Sequence, residues 1–294
     1  MMDAFIVSGD LCISVPIGLG DLIYLQAQLK AVEDRFNKIR ISPDLAIIQK
    51  FGAETDSNAE RLRFTKKFFD LIFRGDKYIY APNRKYRFAN IITLNNKFGF
   101  QFMRPNLIDE LCDGTRITKK KYIVITTKVR ELNYLERYLP HKKKIFDAIR
   151  TLADKYSVVL LGEREVDFIS KEYIKHGKNK IFCIYDDIMQ NLNDYDVLDY
   201  TVEVLGFTPP DINNLRQDCL TMSNAECVIS MGIGGNFCLS AAVSKSVINL
   251  RASAPIADRA MGVIYPNAPG DNVFSTKNVD EFVSYCNEFA SRQE

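Results

Sequence analysis

The sequence predicts an α/β protein of two domains, each a doubly wound parallel sheet covered on both faces, enclosing a cleft between them. Three observations carry this. Short β-branched runs alternate with longer helical patterns from one end of the chain to the other. The 294 residues suit two domains of ~100–200 residues each better than one core. A polar, turn-rich break, "RPNLIDELCDGTRITKKK" (104–121), separates two such series and places the domains at 1–115 and 116–294.

The first series opens with the strand "LCISV" (11–15). A helix follows from Asp21 to about Phe36, its Leu22, Leu25, Leu29 and Val32 recurring at three and four residues. "KIRIS" (38–42) reads as the second strand. "PDLAIIQKF" (43–51) then starts a helix with proline in its favoured first position. Residues 58–74 form an amphipathic helix with Leu62, Phe68, Phe69, Ile72 and Phe73 on one side, closed near Gly75. "KYIYA" (77–81) and "FANIITL" (88–94) complete this series as strands.

The second series begins with "KKYIVITT" (120–127), apolar enough for a strand buried on both faces. A helix at 142–155, the strand "SVVLLG" (157–162), a helix at 164–176 and the strand "KIFCIY" (180–185) follow. Beyond an acidic stretch and the "TPPD" break (208–211), a helix at 212–223 precedes "ECVISM" (226–231). A Gly-rich turn, a helix near 236–244, the strand "SVINL" (246–250) and a final helix from Val279 end the chain.

Composition narrows the function classes. Hydrophobic residues are 47% and charged residues 26%, ordinary for a globular protein, and a formal charge of +2 gives no global basic field for nucleic acid. The cysteines Cys12, Cys112, Cys183, Cys219, Cys227, Cys238 and Cys286 contain no CxxC pair. Several lie in apolar runs, so buried thiols in a reducing, cytoplasmic compartment are expected rather than a disulfide framework or zinc. The N-terminus has no basic start before a long apolar core, and no apolar run approaches the ~20 residues of a membrane span.

Ligands of doubly wound sheets sit beyond the carboxyl ends of the strands, so three loops are the candidates. In the first, "IGLGD", the fingerprint G-x-G-x-x-G would require a third glycine where Ile23 stands, and no Gly-Lys-Ser/Thr follows. Neither a nicotinamide dinucleotide nor a P-loop nucleotide fits. Gly18 and Gly20 then clear space for an incoming acceptor. Asp21 has two open roles: a cap accepting an early backbone N–H, or a general base whose ionised form a helix N-terminus favours.

The second loop, "MGIGGN", places Gly232, Gly234, Gly235 and Asn236 directly before a helix. That leaves backbone N–H groups at its positive end for a diphosphate, whereas a bland strand–helix turn would need fewer glycines. The third, "TTKVRELNY" (126–134), sends Thr126, Thr127, Lys128 and Arg130 out of a buried strand, where hydroxyls and cations could hold phosphate oxygens or simply be solvated. His141, after Pro140 at a helix start, and His176, at a helix end, read as surface positions. In the acidic stretch with Asp186, Asp187, Asp194, Asp196, Asp199 and Glu203, Asp186-Asp187 beside a strand end could meet a ribose or a metal, but the spacing matches no compact metal motif and the stretch reads rather as a solvated face. The basic helix around Arg61–Lys77 suits an anionic acceptor, a lipid surface or a charged exterior.

In order, these features resemble the GT-B glycosyltransferases, most closely the heptosyltransferase-type group acting on bacterial surface glycans. Gly20-Asp21-Leu22-Ile23 resembles that family's opening loop. "YIVITTKVR" resembles the basic and hydroxyl loop of its second domain, and "VVLLGERE", with Gly162, its Gly-terminated strand. "AECVISMGIGGNFCLSAAVSKSVINL" resembles its strand, Asp-Thr-Gly, x-x-His-Leu-Ala-Ala, strand block, with Ile233 and Cys238 in place of the Asp and His. The resemblance implies two Rossmann-like domains, with a last helix that can pack back on the first. It also implies an inverting, metal-independent glycosyltransferase without a resident cofactor, whose donor substrate is a nucleotide sugar. Asp21 would be the base, Gly232, Gly234, Gly235, Asn236, Thr127, Lys128, Arg130 and Gly162 the donor residues, and a glycan or glycolipid the acceptor. Acceptor contacts would come from Gly18, Gly20, Arg63, Lys66 and Arg84. Two rival readings keep the frame: another sugar-nucleotide enzyme (epimerase, hydrolase or pyruvyl transferase), or a non-catalytic nucleotide-binding module, which the replaced Asp and His favour.

Overall fold

The computed structural model describes residues 5–15, 18–43, 55–82, 84–89, 91–98, 106–112, 120–130, 134–164, 181–202, 212–232, 234–251 and 273–292. The expected helices at 43–51 and 164–176, and His176 with them, fall largely or wholly outside these residues. The chain groups into two compact units, Met1–Leu111 and Cys112–Glu294.

The first unit carries a four-stranded sheet in the order β1 (Ile6–Val7), β2 (Asp10–Val15), β3 (Ile39–Pro43), β4 (Tyr78–Tyr80). β2, β3 and β4 run parallel, while β1 turns back antiparallel on β2 through Ser8 and Gly9, both at positive φ. Helix α1 (Leu19–Lys30) follows β2 and buries every residue from Leu22 to Leu29. It stops well short of Phe36 because the chain tightens into a 3-10 turn at Glu33–Arg35. Helix α2 (Thr55–Ile72) packs Phe68, Phe69 and Ile72 inward, each at most 2% exposed. Pro43 is the last residue of β3, paired with Val15, rather than the first of a helix.

The segment expected as a strand at 88–94 is a correction. Among its described residues only Phe88 pairs, bridging to Ser14, and helix α3 spans Ile91–Phe98. A short apolar run fits a strand or a buried helix equally, and here tertiary packing chose the helix. A short helix, α4 (Ile108–Leu111), closes the unit.

The second unit is built on a six-stranded sheet, all parallel, in the order β12-β11-β10-β5-β7-β9. Its strands are β5 (Tyr122–Thr126), β7 (Ser157–Leu161), β9 (Val197–Asp199), β10 (Cys227–Met231), β11 (Val247–Leu250) and β12 (Val273–Thr276). Every residue of β5, β7, β10 and β11 is buried, as strands covered on both faces must be. Helices α5 (Tyr134–Ala153) and α9 (Val279–Ser291) cover one face, where Ile123, Ile125, Val158, Leu160, Ile229 and Ile248 meet Phe146, Ile149 and Phe282. Each such side chain contributes ~1.5–3 kcal/mol on burial. The two helices are further joined by Lys155 Nζ on the Ala290 carbonyl at 2.8 Å and by an ion pair of Lys144 with Asp280. Helices α7 (Ile212–Asn224) and α8 (Gly235–Val243) serve the other face, to which Tyr122 donates its hydroxyl at the Thr221 carbonyl, 2.8 Å away.

Several expectations for this unit need correcting. The strand at 180–185 does not join the main sheet. Its β8 (Ile181–Cys183) pairs antiparallel with β6 (Lys128–Arg130) in a separate ribbon. The acidic stretch is not merely a solvated face, since it holds helix α6 (Tyr185–Asn191) and the edge strand β9, with Ile188 fully buried. His141 is exposed but lies inside α5, which starts earlier than expected and runs through Pro140. None of the seven cysteines forms a disulfide. Among the described residues no helix is long and apolar enough to cross a membrane.

Candidate functional site

Strand order locates the crevices. In the second unit the chain starts at β5, moves out through β7 and β9, then returns to the opposite edge of β5 with β10 and continues to β11 and β12. The reversal lies between β5 and β10, and loops leaving the two strands on either side of such a point are splayed apart, which opens a ligand crevice. The segments there are the two read from the sequence: Thr127 with strand β6 (Lys128–Arg130) after β5, and the turn carrying Gly232, Gly234, Gly235 and Asn236 after β10. The first unit repeats the pattern. From β2 the chain passes to β3 and β4, then returns to the other edge of β2, where Ser14 N donates to the Arg87 carbonyl (2.9 Å) and Ala89 N to the Ser14 carbonyl (2.8 Å). The loop beyond β2 is the one that carries Gly18, Gly20 and Asp21.

In that loop Gly18 is the N-cap of α1, with extended backbone (φ −61°, ψ 140°), and Asp21 stands at the third helical position, exposed. Asp21 is therefore not the N-cap residue, although it sits in the first turn, where the helix dipole favours a carboxylate. Its carboxylate folds over Gly18: a Cβ at that glycine would lie 2.6 Å from Asp21 Oδ2. Glycine at 18 is thus the residue that leaves the acid its place. Of the acceptor candidates, Arg63 and Arg84 are exposed. The Arg84 backbone is fixed at the carboxyl edge of the sheet, its carbonyl accepting the Ser42 hydroxyl at 2.6 Å. Lys66 already has partners, Asp70 at 2.5 Å and the ring of Tyr80 beneath its ammonium.

In the second unit Gly232 follows β10 at φ 101°, a backbone only glycine adopts readily, and its N–H donates to the Leu250 carbonyl at 2.8 Å. Gly234 is the N-cap of α8 and brings no side chain to the first turn, which starts with Gly235 and Asn236. The dipole and amides of such a turn favour an anion. Ile233 falls outside the described residues, and Cys238 is buried in α8.

Two donor candidates take different roles from those expected. Thr127 is fully buried; its hydroxyl reaches the Glu163 carbonyl (2.7 Å) and the Leu161 carbonyl (3.2 Å), and its carbonyl accepts from Ile184 N. It is a strut joining β5, β7 and β8, with its hydroxyl directed into the protein rather than toward a phosphate. Gly162, at φ 118°, is needed for the same reason, because a Cβ there would lie 2.6 Å from Thr127 Oγ1. Lys128 opens β6, its ammonium 2.5 Å from Glu163 Oε1. Arg130 is the last residue of β6.

Three side-chain arrangements escaped the sequence reading, although Asp199 and Thr126 are named in it. Glu163 is only 8% exposed and pairs with Lys128, a partnership across 35 positions that no local pattern announces. Asp199, at the end of β9, gathers Tyr185 Oη (2.7 Å), Arg164 (2.6 Å) and both the N–H and hydroxyl of Thr201. Burial raises its pKa, but the bonds from Thr201, Tyr185 and Arg164 outweigh burial and leave it below the usual carboxylate value. Burial first, and the bond to Asp199 second, push the Tyr185 phenol up to about 12. The third is a row of polar side chains across the sheet: Thr126, Ser230, Asn249 and Ser275, in register on adjacent strands. Thr126 Oγ1 lies 3.5 Å from Ser230 Oγ, and Asn249 donates to Ser275 Oγ at 2.9 Å. The signal for it is visible afterwards as a hydroxyl or amide residue at the last position of β5 and one position short of the ends of β10, β11 and β12. Among the described residues no cluster of three or more His, Cys, Asp or Glu side chains is arranged to share a metal ion.

No protein-family model matches the sequence, and no curated protein matches it. Among solved structures, the ADP-heptose LPS heptosyltransferase II of E. coli aligns over 96% of this chain and 99% of its own, at 10% identity and a TM-score of 0.44. The iron-containing dodecameric glycosyltransferase TibC of enterotoxigenic E. coli aligns over 82% of this chain at 12% identity and a TM-score of 0.43, and the match spans only 58% of TibC. The glycotransferase of kitacinnamycin aligns over 97% and 92% of the two chains, at 10% identity and a TM-score of 0.33. At these identities and TM-scores the likenesses assign neither a family nor an activity to this chain.

Proposed function

We propose that this protein is a GT-B-type glycosyltransferase that moves a sugar from a nucleotide-diphosphate donor to a hydroxyl of a glycan or glycolipid acceptor. One observation carries the reading. The loops that the sequence marks for chemistry leave the two strands at which each sheet reverses its order, Asp21 beyond β2 and Gly232–Asn236 beyond β10. In this reading the first unit supplies the base and acceptor loops and the second holds the donor.

Asp21 takes the proton of the acceptor hydroxyl as its oxygen attacks the anomeric carbon. The bond from that carbon to the diphosphate oxygen breaks in the same displacement, so the configuration inverts. The leaving diphosphate is stabilised by the amide-rich start of α8 and by Lys128, and the reaction needs no resident metal or cofactor. The acceptor is held through Arg84 and Arg63, with Lys66 available only in exchange for Asp70.

The test uses UDP-, GDP-, ADP- and TDP-sugars, scored by thermal stabilisation and by slow hydrolysis of the donor. One of them stabilises the protein, and Asp21→Asn keeps that stabilisation while losing ~10²–10⁴-fold in turnover. Stabilisation by none of the panel rejects the donor site. A folded, donor-binding Asp21→Asn variant with full turnover rejects the base.

A further inference from the structure

The lysine that follows β5 is already paired. Lys128 opens the ribbon strand β6 immediately after Thr127 and runs beside the end of β10, where Gly232–Asn236 begins. Its ammonium sits 2.5 Å from Glu163 Oε1, and the two side chains are only 24% and 11% exposed. Glu163 is fixed independently of this carboxylate. Its backbone carbonyl accepts the Thr127 hydroxyl at 2.7 Å and the Cys183 thiol at 2.9 Å, which anchor the residue to β5 and β8. A carboxylate is thus held against the lysine that opens β6, the strand lying beside β10, whose following turn leads into the amide-rich start of α8; that lysine and that helix start both suit an anion. An acid there works against anion binding. Its place is explained if moderating that binding is its task.

From this geometry we infer that Glu163 is a positioning residue that shares the charge of Lys128 and so limits how tightly the crevice holds a diphosphate. The inference rests on the donor-site reading above and adds its regulation. A nucleoside diphosphate leaving after transfer carries more charge than it did as part of the donor. A lysine with no counter-charge would hold that product in the site. With Glu163 alongside, Lys128 steadies the charge as it develops yet releases the product, because the ammonium has a second carboxylate partner to return to.

The experiment measures binding of ADP, GDP, UDP, TDP and inorganic pyrophosphate by calorimetry at low and moderate salt, for the wild-type chain and three variants. Glu163→Gln keeps the shape and the backbone anchors but removes the charge. The best-bound of these probes then binds about tenfold tighter, with a steeper loss of affinity as salt rises, because the lysine charge is no longer offset. Turnover with the cognate nucleotide sugar shows kcat falling along with KM, the split expected of slower product release. Glu163→Asp keeps the charge and stays near wild type. Lys128→Met weakens binding several-fold, which keeps the inference testable if Glu163→Gln fails to fold. Unchanged or weaker binding by folded Glu163→Gln overturns the inference while leaving the donor site standing, and so does unchanged binding by Lys128→Met. No binding of any probe by the wild-type chain overturns both readings.

Discussion

Replacing Gly162 by alanine tests whether the loops after β5 and β7 are held by one close contact. Gly162 has a φ of 118°, and an added Cβ would meet Thr127 Oγ1 at 2.6 Å, with the Thr127 and Lys128 amide nitrogens at 3.5 and 3.6 Å. The amides are at ordinary distance, so the hydroxyl is the obstacle. It cannot swing away freely, because it is fully buried and bonds to the Glu163 and Leu161 carbonyls. The backbone strain of a side chain at such a φ costs about 1–3 kcal/mol. Displacing the buried hydroxyl costs about 1 kcal/mol more in lost hydrogen bonding. The sum, about 2–4 kcal/mol, lowers the Tm by roughly 5–12 °C for a unit of this size. Circular dichroism melts of the wild type and Gly162→Ala provide the assay. The combination with Thr127→Ala separates the two causes, since removing Oγ1 removes the clash but not the strain. The double variant is then less destabilised than the two singles summed, by about 1 kcal/mol. A Gly162→Ala melt within about 1 °C of wild type refutes the reasoning, and strict additivity refutes the part assigned to the hydroxyl.

Asp218 on α7 has a carboxyl oxygen, Oδ1, sealed from solvent without a hydrogen-bond partner, and burial raises its pKa from 3.8 to about 7. The native state therefore holds a proton that the unfolded chain releases, and stability from this group is full below pH 3.8 and lost as pH rises to about 7. Asp218→Asn is expected to stabilise the protein by about 1–3 kcal/mol at pH 8 and to flatten this slope; parallel denaturation profiles of the two proteins between pH 4 and 8 would count against it. Gly18→Ala meets only the far end of the Asp21 side chain, at an ordinary φ, but alanine is a poorer N-cap than glycine, so the stability loss should be about 0.5–1.5 kcal/mol. Turnover should also fall by about tenfold or more as the carboxylate is displaced; an unimpaired enzyme would detach Gly18 from the site.

Legibility in the sequence followed the reach of each interaction. Ile123–Ile125, Val158–Leu161 and Val228–Ile229 announce buried strands because their pattern is local, and Gly232, Gly234 and Gly235 announce a turn into a helix for the same reason. Strand order, and with it the two reversal points, depends on which strands meet, and no window of the sequence contains that. β9 was hidden because Val197–Asp199 is short and half-buried on an edge, so its composition stays acidic. The ribbon of β6 and β8 was hidden because Lys128–Arg130 continues a strand without a turn signal. At the candidate site the sequence marks Thr127 and Lys128 as polar groups at a strand end. It does not say that the hydroxyl turns inward to Glu163 while the ammonium meets the same residue's carboxylate. The residues were visible and their obligations were not.

The polar row through Thr126, Ser230, Asn249 and Ser275 bears on how this sheet assembles. Parallel strands of nearly uniform valine, isoleucine and leucine can slide by two residues and still present the same face to the same helix. Such a slide in β11 would bring Asn249 opposite Val228 or Gly232 rather than Ser230, and would take it from Ser275. Its amide would then be stranded among hydrocarbon, at a cost of about 1–3 kcal/mol. These four side chains work as a key cut into otherwise interchangeable strands, and the alignment they enforce brings the ends of β5 and β10 level.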